Sequence, residues 1–580
     1  MAEAVAEQKK SALKVLGLAL TNRKTGFMLL FGFASGLPFA LFLGTLFAWL
    51  TEAEVDLETM GIFSLIGLAY AFQFLWSPLI DKVNIPILRK LGRRKQWIVP
   101  AQVLLGAILV TMSILDPKSQ LGMFSLLAGI GAFASATQDI AINAWRIDVA
   151  DERATIDILS TVYQMGYRLS SLVGGALGLI IAARIGWPET YALMGAILLA
   201  VGFVGLWAPN ADEEAEDVAT ESELQVRALR KAGELAPSIR NRALVMVGLL
   251  WAGAIGTVLA FMVMSMANAP EDRPNPTEFT ATFGPLIIVA TIILPGLIAG
   301  WLAGQKKQGK HVLTADAPEA SGGAYALDHL YRALVLPLVE LVGRVGWALV
   351  LILAVVLTYR ICDAIWGSFA YPFYLGELEY TNDDVAFASK FFGVGAIIAG
   401  LALGGLMLTT IGRMATLLIG GILAALTNLL YADMAVGGHN MAAFSEAVGF
   451  TYLIEQVPGI GDADLAKLTI TIAFENLAIG IAGAAYIAWL SSIVSKKFSA
   501  VQYALLASLT LLVGTLGRGA LGEMIENQGY FDVFILTTWI GLAAAVLVCF
   551  EWYRESRGKR AAGIVAPEAG ESMAETAPAE

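Results

Sequence analysis

Long apolar runs separated by short polar loops dominate the pattern of hydrophobic and polar positions along this chain. Because a bilayer core needs about 20 apolar residues per helix, each run predicts one membrane-spanning helix, and we count about fourteen. We number them spans 1 to 14, in the order 26–50, 58–80, 97–115, 121–144, 159–183, 189–208, 243–267, 281–304, 346–370, 385–409, 414–434, 467–491, 500–523 and 531–551. The pattern predicts an all-α polytopic membrane protein.

Composition and charge agree with that fold class. Of the 580 residues, 57% are hydrophobic and 15% are charged, whereas a soluble globular chain carries about 25% charged residues. The formal net charge of −11 comes mostly from loops and tails such as 212–217 and 568–580, so we attribute it to solvated segments. The two cysteines, Cys362 and Cys549, belong to different apolar segments and predict no disulfide framework.

Lysine and arginine are distributed unevenly between the loops. The N-terminal segment, the loops after even-numbered spans and the C-terminal tail are basic, with clusters at 82–95, 227–231, 306–310, 496–497 and 554–560. The loops after odd-numbered spans are acidic or neutral, as in "TEAEVDLE" and "GELEYTNDD". Because cytoplasmic loops carry an excess of lysine and arginine, we expect both termini in the cytoplasm.

The two halves of the chain resemble each other. The string "AWRIDV" at Ala144 corresponds to "AWLSSIV" at Ala488, and "GALG" recurs at Gly175 and Gly519, with one shared offset of 344 residues. We infer two homologous six-helix bundles with two inserted helices between them. The predicted regions are a cytoplasmic N-terminal segment (1–25), an N-terminal bundle (26–208), a cytoplasmic linker (209–345) with extra helices (243–304) and an interfacial helix (325–343), a C-terminal bundle (346–551) and a disordered cytoplasmic tail (552–580).

Two parallel bundles are the architecture of major facilitator transporters, which bind substrate midway between them. The loop "PLIDKVNIPILRKLGRRK" after span 2 resembles a motif of that superfamily, with Asp81 followed by Gly92, Arg93 and Arg94, and "TIGRM" supplies Arg413 in the second half. Asp81 is placed to cap a neighbouring helix or to pair with the arginines, which would latch the bundles in one access state. The alternative is a simple basic loop of the kind found on cytoplasmic faces.

Polar side chains form single-face stripes on several spans. In span 4 they follow spacings of four, four and three residues, and in span 5 of four and three, which keeps each stripe on one helix face. These stripes and the polar residues of the second half are Ser135, Asp139, Asn143, Arg146, Gln164, Arg168, Ser171, Arg360, Asp363, Lys390, Thr471, Glu475, Asn476 and Arg518. Since a charged residue at mid-bilayer costs about 2.5–3.5 kcal/mol or more, we expect these residues to line a shared aqueous cavity.

The buried charges suggest a coupling scheme. Asp139, Asp363 and Glu475 are the candidate groups for proton exchange, because the proton affinity of a carboxylate changes with burial and with nearby cations. The excess of cations suits an anionic ligand. Static ion pairing, such as Arg360 with Asp363 within one helix, is the alternative that the sequence leaves open.

Other features concern movement and catalysis. Gly32 and Gly36 in "GFASG", Pro38, and Gly174 in "GGALG" are candidates for close helix packing and for hinges. The three histidines lie outside the spans, and no metal-ligand spacing or catalytic motif is present, so we predict neither a metal, a cofactor nor an enzyme. A proton gradient is the expected energy source.

Five longer strings are more specific: "GFASGLPFALFLGTLFAWL", "FSLIGLAYAFQFLWSPLID", "ATQDIAINAWRIDV", "GYRLSSLVGG" and "FENLAIGIAGAAYIAWL". Together they resemble the AmpG-type muropeptide permeases of Gram-negative bacteria, over about residues 26–205 and 325–550. The resemblance implies proton-driven import of GlcNAc-1,6-anhydroMurNAc peptides across the inner membrane, for peptidoglycan recycling and β-lactamase induction. The expected partners are this substrate and the lipid bilayer, without nucleic acid. The sequence does not fix the oligomeric state, and a monomer is the working expectation.

Such a ligand suggests a role for each polar residue. Its carboxylates would bind to Arg168, Arg360 and Lys390. Its sugar hydroxyls would form hydrogen bonds with Gln138, Asn143 and Asn476. Its pyranose rings would stack on Phe39, Tyr167 and Trp366. Three other hypotheses about the function stay open: a facilitator for another anionic solute or a drug antiporter, a polytopic membrane enzyme, and a receptor. Neither the loops nor the repeat requires the last two.

Overall fold

The computed structural model describes residues 21–55, 70, 72–210, 234–268, 272, 274, 276–311, 323–360, 369–370, 372–458 and 461–561. Within this part of the chain the regular structure is helical. The principal helices are Arg23–Ala40 with Leu46–Glu52, Ser77–Lys82, Lys95–Ser113, Leu121–Asp148, Ile156–Ser171 with Gly178–Ile185, Trp187–Gly205, Pro237–Ala267, Pro276–Ile288 with Leu294–Lys307, Gly323–Leu334, Leu336–Val345, Ala348–Thr358, Asn382–Ala386 with Val394–Thr410, Arg413–Ala435, His439–Ala447, Phe450–Glu455, Ala463–Ile493, Ser499–Gln528 and Tyr530–Ala561.

Ten of the described helices are long and apolar enough to cross a membrane, and they correspond to spans 3–8, 10–12 and 14. An eleventh crossing results if Leu336–Val345 and Ala348–Thr358, which meet at 105°, are counted as one span. Most of span 2 and the second part of span 9 lie outside the described residues. The prediction of a polytopic helical membrane protein is confirmed, because apolar runs of bilayer length leave the backbone no other way to satisfy its hydrogen bonds.

Corresponding helices of the two halves pack in corresponding ways. Spans 3 and 6 pack together in the first half, and spans 11 and 14 pack together in the second. Small residues permit the close approach: a Cβ on Gly106 would lie 2.7 Å from the carbonyl oxygen of Gly195, and one on Gly541 would lie 2.6 Å from the Cβ of Ala425. Trp145 and Trp489, which the 344-residue offset relates, are both buried.

The interfacial segment differs from its prediction. Instead of one helix over 325–343, the chain forms two linker helices, Gly323–Leu334 and Leu336–Val345. Pro337 lies in the first turn of the second helix, where its missing N–H is tolerated and where it disfavours a helix continuing into it from the preceding residue. Proline therefore divides the segment.

The linker is attached to the first inserted helix by four charged side chains. Arg240 contacts Asp328 at 2.6 Å and Glu234 at 3.3 Å, while Arg332 contacts the same two carboxylates at 2.7 and 2.8 Å. The Arg240 guanidinium also lies over the Tyr331 ring. Burial raises the pKa of Tyr331 to about 12, so this contact is with a neutral phenol at physiological pH.

Three predicted boundaries also change. The last helix continues to Ala561, past the predicted start of a disordered tail at 552, because Glu551 pairs with Arg554 and Arg557 packs on Tyr553. The loop over 435–466 contains the helices His439–Ala447 and Phe450–Glu455. The first inserted helix begins at Pro237, where proline is favoured in the first helical turn.

π-helical turns interrupt four spans, at Leu41–Thr45, Leu172–Leu177, Val289–Ile293 and Phe387–Gly393. Pro38 precedes the first of them inside span 1, where it removes one N–H from the helical ladder. Such turns are frequent at functional sites. The fourth turn contains Lys390, a predicted ligand-binding residue.

Candidate functional site

The first polar cluster surrounds Asp139 and joins three spans. Ser35 of span 1 donates a hydrogen bond to Asp139 Oδ1 at 2.5 Å, and the Tyr163 hydroxyl of span 5 donates to the same oxygen at 2.7 Å. The two donor oxygens are 3.1 Å apart. Asp139 is half-buried, while Ser35 and Tyr163 are buried. The carboxylate is therefore held by two hydroxyls inside the N-terminal bundle.

Aromatic side chains continue this cluster. The Tyr70 hydroxyl donates to Ser135 at 2.8 Å, one helical turn from Asp139. Phe39 contacts Tyr70 edge to face, with ring centroids 5.2 Å apart, and contacts Tyr167 at 6.1 Å. Phe39 and Tyr167 are half-buried. Two of the rings predicted to stack on sugars are therefore neighbours beside Asp139.

A second polar cluster surrounds Glu475 in the other half. Tyr431 of span 11 donates a hydrogen bond to Glu475 Oε2, and the Tyr374 hydroxyl lies 2.8 Å from that of Tyr431. Phe373 and Phe534 pack against the Tyr431 ring. In each half, one membrane carboxylate thus accepts a hydrogen bond from a tyrosine hydroxyl of the same half.

The two carboxylates do not occupy equivalent positions. The repeat offset relates Asp139 to Gly483, and Glu475 lies eight residues earlier on the same helix. Eight residues correspond to about 12 Å along a helix. Asp139 and Glu475 therefore occupy different positions along their helices in the two halves.

Asp81 holds the end of span 2 against span 13. Its carboxylate lies 2.9 Å from Arg94 and 3.3 Å from Arg93, and it accepts the backbone N–H groups of Ala500 at 3.4 Å and Val501 at 3.0 Å. These N–H groups belong to the first turn of a helix, where the helix dipole favours an anion. Asp81 therefore both caps a helix and pairs with the arginines. Gly92, with φ +100°, turns the loop that presents them.

Arg94 is a buried cation of this loop. It also contacts Asp148 at 2.6 Å and donates to Ser499 at 2.7 Å. Burial works against its positive charge, but Asp148 and Asp81 outweigh burial, so the pKa of Arg94 lies above its ordinary value. The guanidinium thus remains charged while joining the two halves.

Further contacts close the same end of the molecule. We call this end the basic face, because it carries the lysine- and arginine-rich loops, and we define it by Asp81, Arg94, Asp148, Asp157 and Arg413. Arg413 contacts Asp157 across the seam between the halves, at 2.8 and 3.2 Å. Deeper along the seam, a Cβ on Gly405 would lie 2.8 Å from Thr161, and one on Gly483 would lie 3.5 Å from Gln164. The halves are therefore in contact from the basic face inward along span 5.

The sequence profile described as Major Facilitator Superfamily matches residues 25–315, half of the chain. The chain belongs to the major facilitator superfamily. It is also similar to the anhydromuropeptide permease of Escherichia coli K12, with 28% identity over 528 residues, covering 90% of this chain and 79% of the relative. The transporter AmpG 4 of Rickettsia conorii is 25% identical, covering 90% and 94%. A solved proton:xylose symporter of the superfamily, XylE, gives a TM-score of 0.49 at 13% identity, covering 93% and 95%.

The predicted ligand-binding cations of this major facilitator chain lie in different settings. Arg360, after Ala348–Thr358, interacts electrostatically with Tyr167 of the first half and Tyr486 of the second, which places it at the seam. Arg168 is half-buried and also interacts with Tyr167. Lys390 is exposed. Two of the three cations therefore converge on Tyr167.

The predicted amides are turned toward the helix backbone. Gln138 is fully buried and donates to the Ala34 carbonyl oxygen of span 1 at 2.5 Å, so it faces the bundle interior instead of a cavity. Asn143 and Asn476 donate to the carbonyl oxygens four residues earlier, those of Asp139 and Ile472. Asp363, Trp366 and the side chain of Arg518 lie outside the described residues.

The predicted hinge glycines occupy helix crossings. A Cβ on Gly32 would collide with the Tyr163 carbonyl oxygen, and one on Gly36 would lie 2.8 Å from the Tyr167 carbonyl oxygen. Gly174 lies against Leu37, the residue before Pro38, with 2.9 Å between its added Cβ and the Leu37 side chain. In this structure these residues provide close packing between spans 1 and 5.

Sequence reasoning missed Ser35, Tyr163 and Tyr431, the donors that hold the two carboxylates. Ser35 is part of "GFASG", where the glycines drew attention, and Tyr163 lies four residues before Tyr167 on the same helix face. Their apolar surroundings gave no charge to mark them. The signal available in the sequence was the presence of hydroxyl residues on the spans next to each membrane carboxylate, because such residues are candidate hydrogen-bond donors.

Proposed function

We propose that this chain imports anhydro-muropeptides, GlcNAc-1,6-anhydroMurNAc peptides, across the bacterial inner membrane by symport with protons. The observation that carries the proposal is the pair of hydroxyl-bonded carboxylates, Asp139 and Glu475, one in each half of a major facilitator fold. The similarity to an anhydromuropeptide permease over 90% of the chain supports the substrate class. The product would enter peptidoglycan recycling and the pool that induces β-lactamase.

The distribution of charge supports an orientation. The basic face carries the lysine- and arginine-rich loops, so it would lie in the cytoplasm together with both termini. The conformer with a closed basic face is then the one that receives substrate from the periplasm. Opening of the seam between Arg413 and Asp157 would release substrate to the cytoplasm.

The site residues divide into two roles in this mechanism. Asp139 and Glu475, with Asp363, exchange the proton as access changes. Arg168, Arg360 and Lys390 hold the ligand carboxylates, Asn143 and Asn476 face its hydroxyls after local rotation, and Phe39 and Tyr167 stack on its pyranose rings. The proton gradient supplies the energy, the chain needs no cofactor, it works as a monomer, and it leaves the ligand chemically unchanged.

Uptake of radiolabelled GlcNAc-anhydroMurNAc-tripeptide into proteoliposomes tests the proposal. We expect an inward proton gradient to raise accumulation several-fold, and mass spectrometry to recover intact ligand. Asp139→Asn and Glu475→Gln should lose gradient-driven accumulation but keep exchange of labelled for unlabelled ligand. Asp116→Asn, in an exposed loop, is the matched control and should behave like the wild type.

Two outcomes would contradict specific parts of the proposal. If both variants accumulate ligand as the wild type does, the assignment of proton coupling is wrong. If unlabelled anhydro-muropeptide fails to compete with a transported solute, the chain carries a different anion or exchanges drugs for protons.

A further inference from the structure

Arg146, at the end of span 4, is an unusual buried arginine. Its side chain has no exposed surface, and it lies two residues before the end of Leu121–Asp148. The buried Arg94 contacts two carboxylates, Asp81 and Asp148. Among the described residues, Arg146 forms no ion pair within 4.0 Å.

Neutral groups surround the Arg146 guanidinium. Its carbon lies 4.9 Å from the ring centroid of Tyr163 in its own half and 5.0 Å from that of Tyr503 in the other half. Its only hydrogen bond within the described part of the chain goes from Nη2 to Ser491 Oγ, at 3.0 Å across the seam. Nε and Nη1 are buried and find no acceptor there.

Asp139, seven residues and about two helical turns before Arg146, is already engaged. Asp139 interacts electrostatically with Arg146, but its hydrogen bonds are made to Ser35 and Tyr163. Tyr163 therefore touches both charges, with its hydroxyl on Asp139 and its ring under Arg146. Two guanidinium nitrogens, Nε and Nη1, therefore find no acceptor within the described part of the chain.

Two of the three contacts of Arg146 come from the other half of the molecule. When the basic face opens, Ser491 and Tyr503 move away with the C-terminal bundle, and only Tyr163 remains. A buried charge without a partner is unfavourable, so hydration or an anion stabilises the opened state. The planar guanidinium, with several N–H groups in a fixed fork, matches a carboxylate.

The geometry points to Arg146 as a release-side subsite for a carboxylate of the transported ligand, formed only when the basic face opens. This inference rests on the proposed function and adds a cation distinct from Arg168, Arg360 and Lys390. Binding a carboxylate there favours the open basic face, so the ligand itself promotes opening toward that side.

Spin labels at Glu152 and Lys497, exposed residues on opposite sides of the seam, measure opening of the basic face once Cys362 and Cys549 are replaced by serine. The probes are GlcNAc-anhydroMurNAc-tripeptide and its carboxyl-methylated ester. We expect the acid to open the wild type at about tenfold lower concentration than the ester, as a charge-assisted hydrogen bond would give. Arg146→Gln should narrow this difference several-fold without removing it, because the acid still meets Arg168, Arg360 and Lys390, whereas Arg146→Lys should keep most of it.

Arg184→Gln is the matched control, because Arg184 is exposed at the far end of span 5, and it should retain the tenfold preference. An Arg146→Gln variant that keeps the full tenfold preference overturns the inference. If that variant does not fold, labelling of Arg146 by phenylglyoxal in the Arg413→Ala variant tests the inference instead. Protection by the acid but not by the ester supports the subsite, and equal labelling with both rejects it. Failure of wild-type uptake would instead reject the proposed function.

Discussion

The Asp81 carboxylate accepts the backbone N–H of Val501 at 3.0 Å, which places an anion from the first half at the start of a helix in the second. The same carboxylate faces Arg93 and Arg94. One side chain thus satisfies a helix terminus and two cations at once. Because its partners belong to both halves, its removal should affect the conformational equilibrium as well as folding.

Asp81→Asn keeps the shape of the side chain but removes its charge. We expect the closed basic face to lose about 1–3 kcal/mol, the usual effect of leaving a buried polar partner unsatisfied. Distances between spin labels at Glu152 and Lys497 should show a larger open population. Asp116→Asn serves as the control, and a closed population equal to that of the wild type would contradict the expectation.

The ion pair between Arg413 and Asp157 should act across the seam. Both side chains are partly buried, with 24% and 21% of their surfaces exposed, and we expect a coupling of about 1 kcal/mol in favour of the closed state. A double-mutant cycle with Arg413→Ala and Asp157→Ala, read from the same spin-label distances, measures it. Strictly additive effects of the two substitutions would show that the pair contributes nothing.

Gly32 should tolerate no side chain. A Cβ at this position collides with the Tyr163 carbonyl oxygen, so Gly32→Ala forces spans 1 and 5 apart and should destabilise the protein by about 1–3 kcal/mol. Gly26 lies on the same helix with nothing within 4 Å of an added Cβ. Gly26→Ala should therefore be neutral or slightly stabilising. Thermal unfolding in detergent compares the two, and equal melting temperatures would refute the packing argument.

Asp151 gives a prediction for pH. Burial raises its pKa, but hydrogen bonds from the Ala154 backbone N–H, from Lys24 and from the Arg153 backbone N–H outweigh burial and hold the pKa below its ordinary value. A carboxylate with a lowered pKa stabilises the folded state above about pH 4, and this contribution is lost as the pH falls through the folded-state value.

Thermal unfolding of the wild type and of Asp151→Asn against pH checks that sign. The wild type should be more stable at pH 7, and the difference should shrink below about pH 4. A difference that grows on acidification would mean that Asp151 is not held ionised by these donors.

Much of the architecture followed from the sequence because the bilayer restricts the options. Apolar runs of fixed length predict crossing helices, and Asp81 lies on a short loop with Arg93 and Arg94, so their meeting is almost enforced by the chain. Asp81 caps a helix, as the bonds to Ala500 and Val501 show, and its role as a latch between access states stays a prediction.

The details that failed depend on helix rotation and on partners distant in sequence. Gln138 adjoins Asp139, but one residue turns a helix by about 100°, so its side chain points into the bundle toward Ala34. Ser35 and Tyr163 reach Asp139 only after spans 1 and 5 have packed together. The sequence places Arg146 in the polar stripe, but its contact with Tyr503 across the seam depends on the assembled halves.

The backbone contact between Gly32 and Tyr163 has a mechanical consequence. Helices packed this closely should not slide past each other during a transport cycle. Ser35 and Tyr163 would therefore move together and keep their hydrogen bonds to Asp139. Asp139, the group that we propose exchanges the proton, would then keep its immediate neighbours in both access states. In that mechanism, the contacts across the seam and the access of water to Asp139 change during the cycle. Energy conversion would then depend on the exposure of this carboxylate and not on a change in its hydrogen bonds.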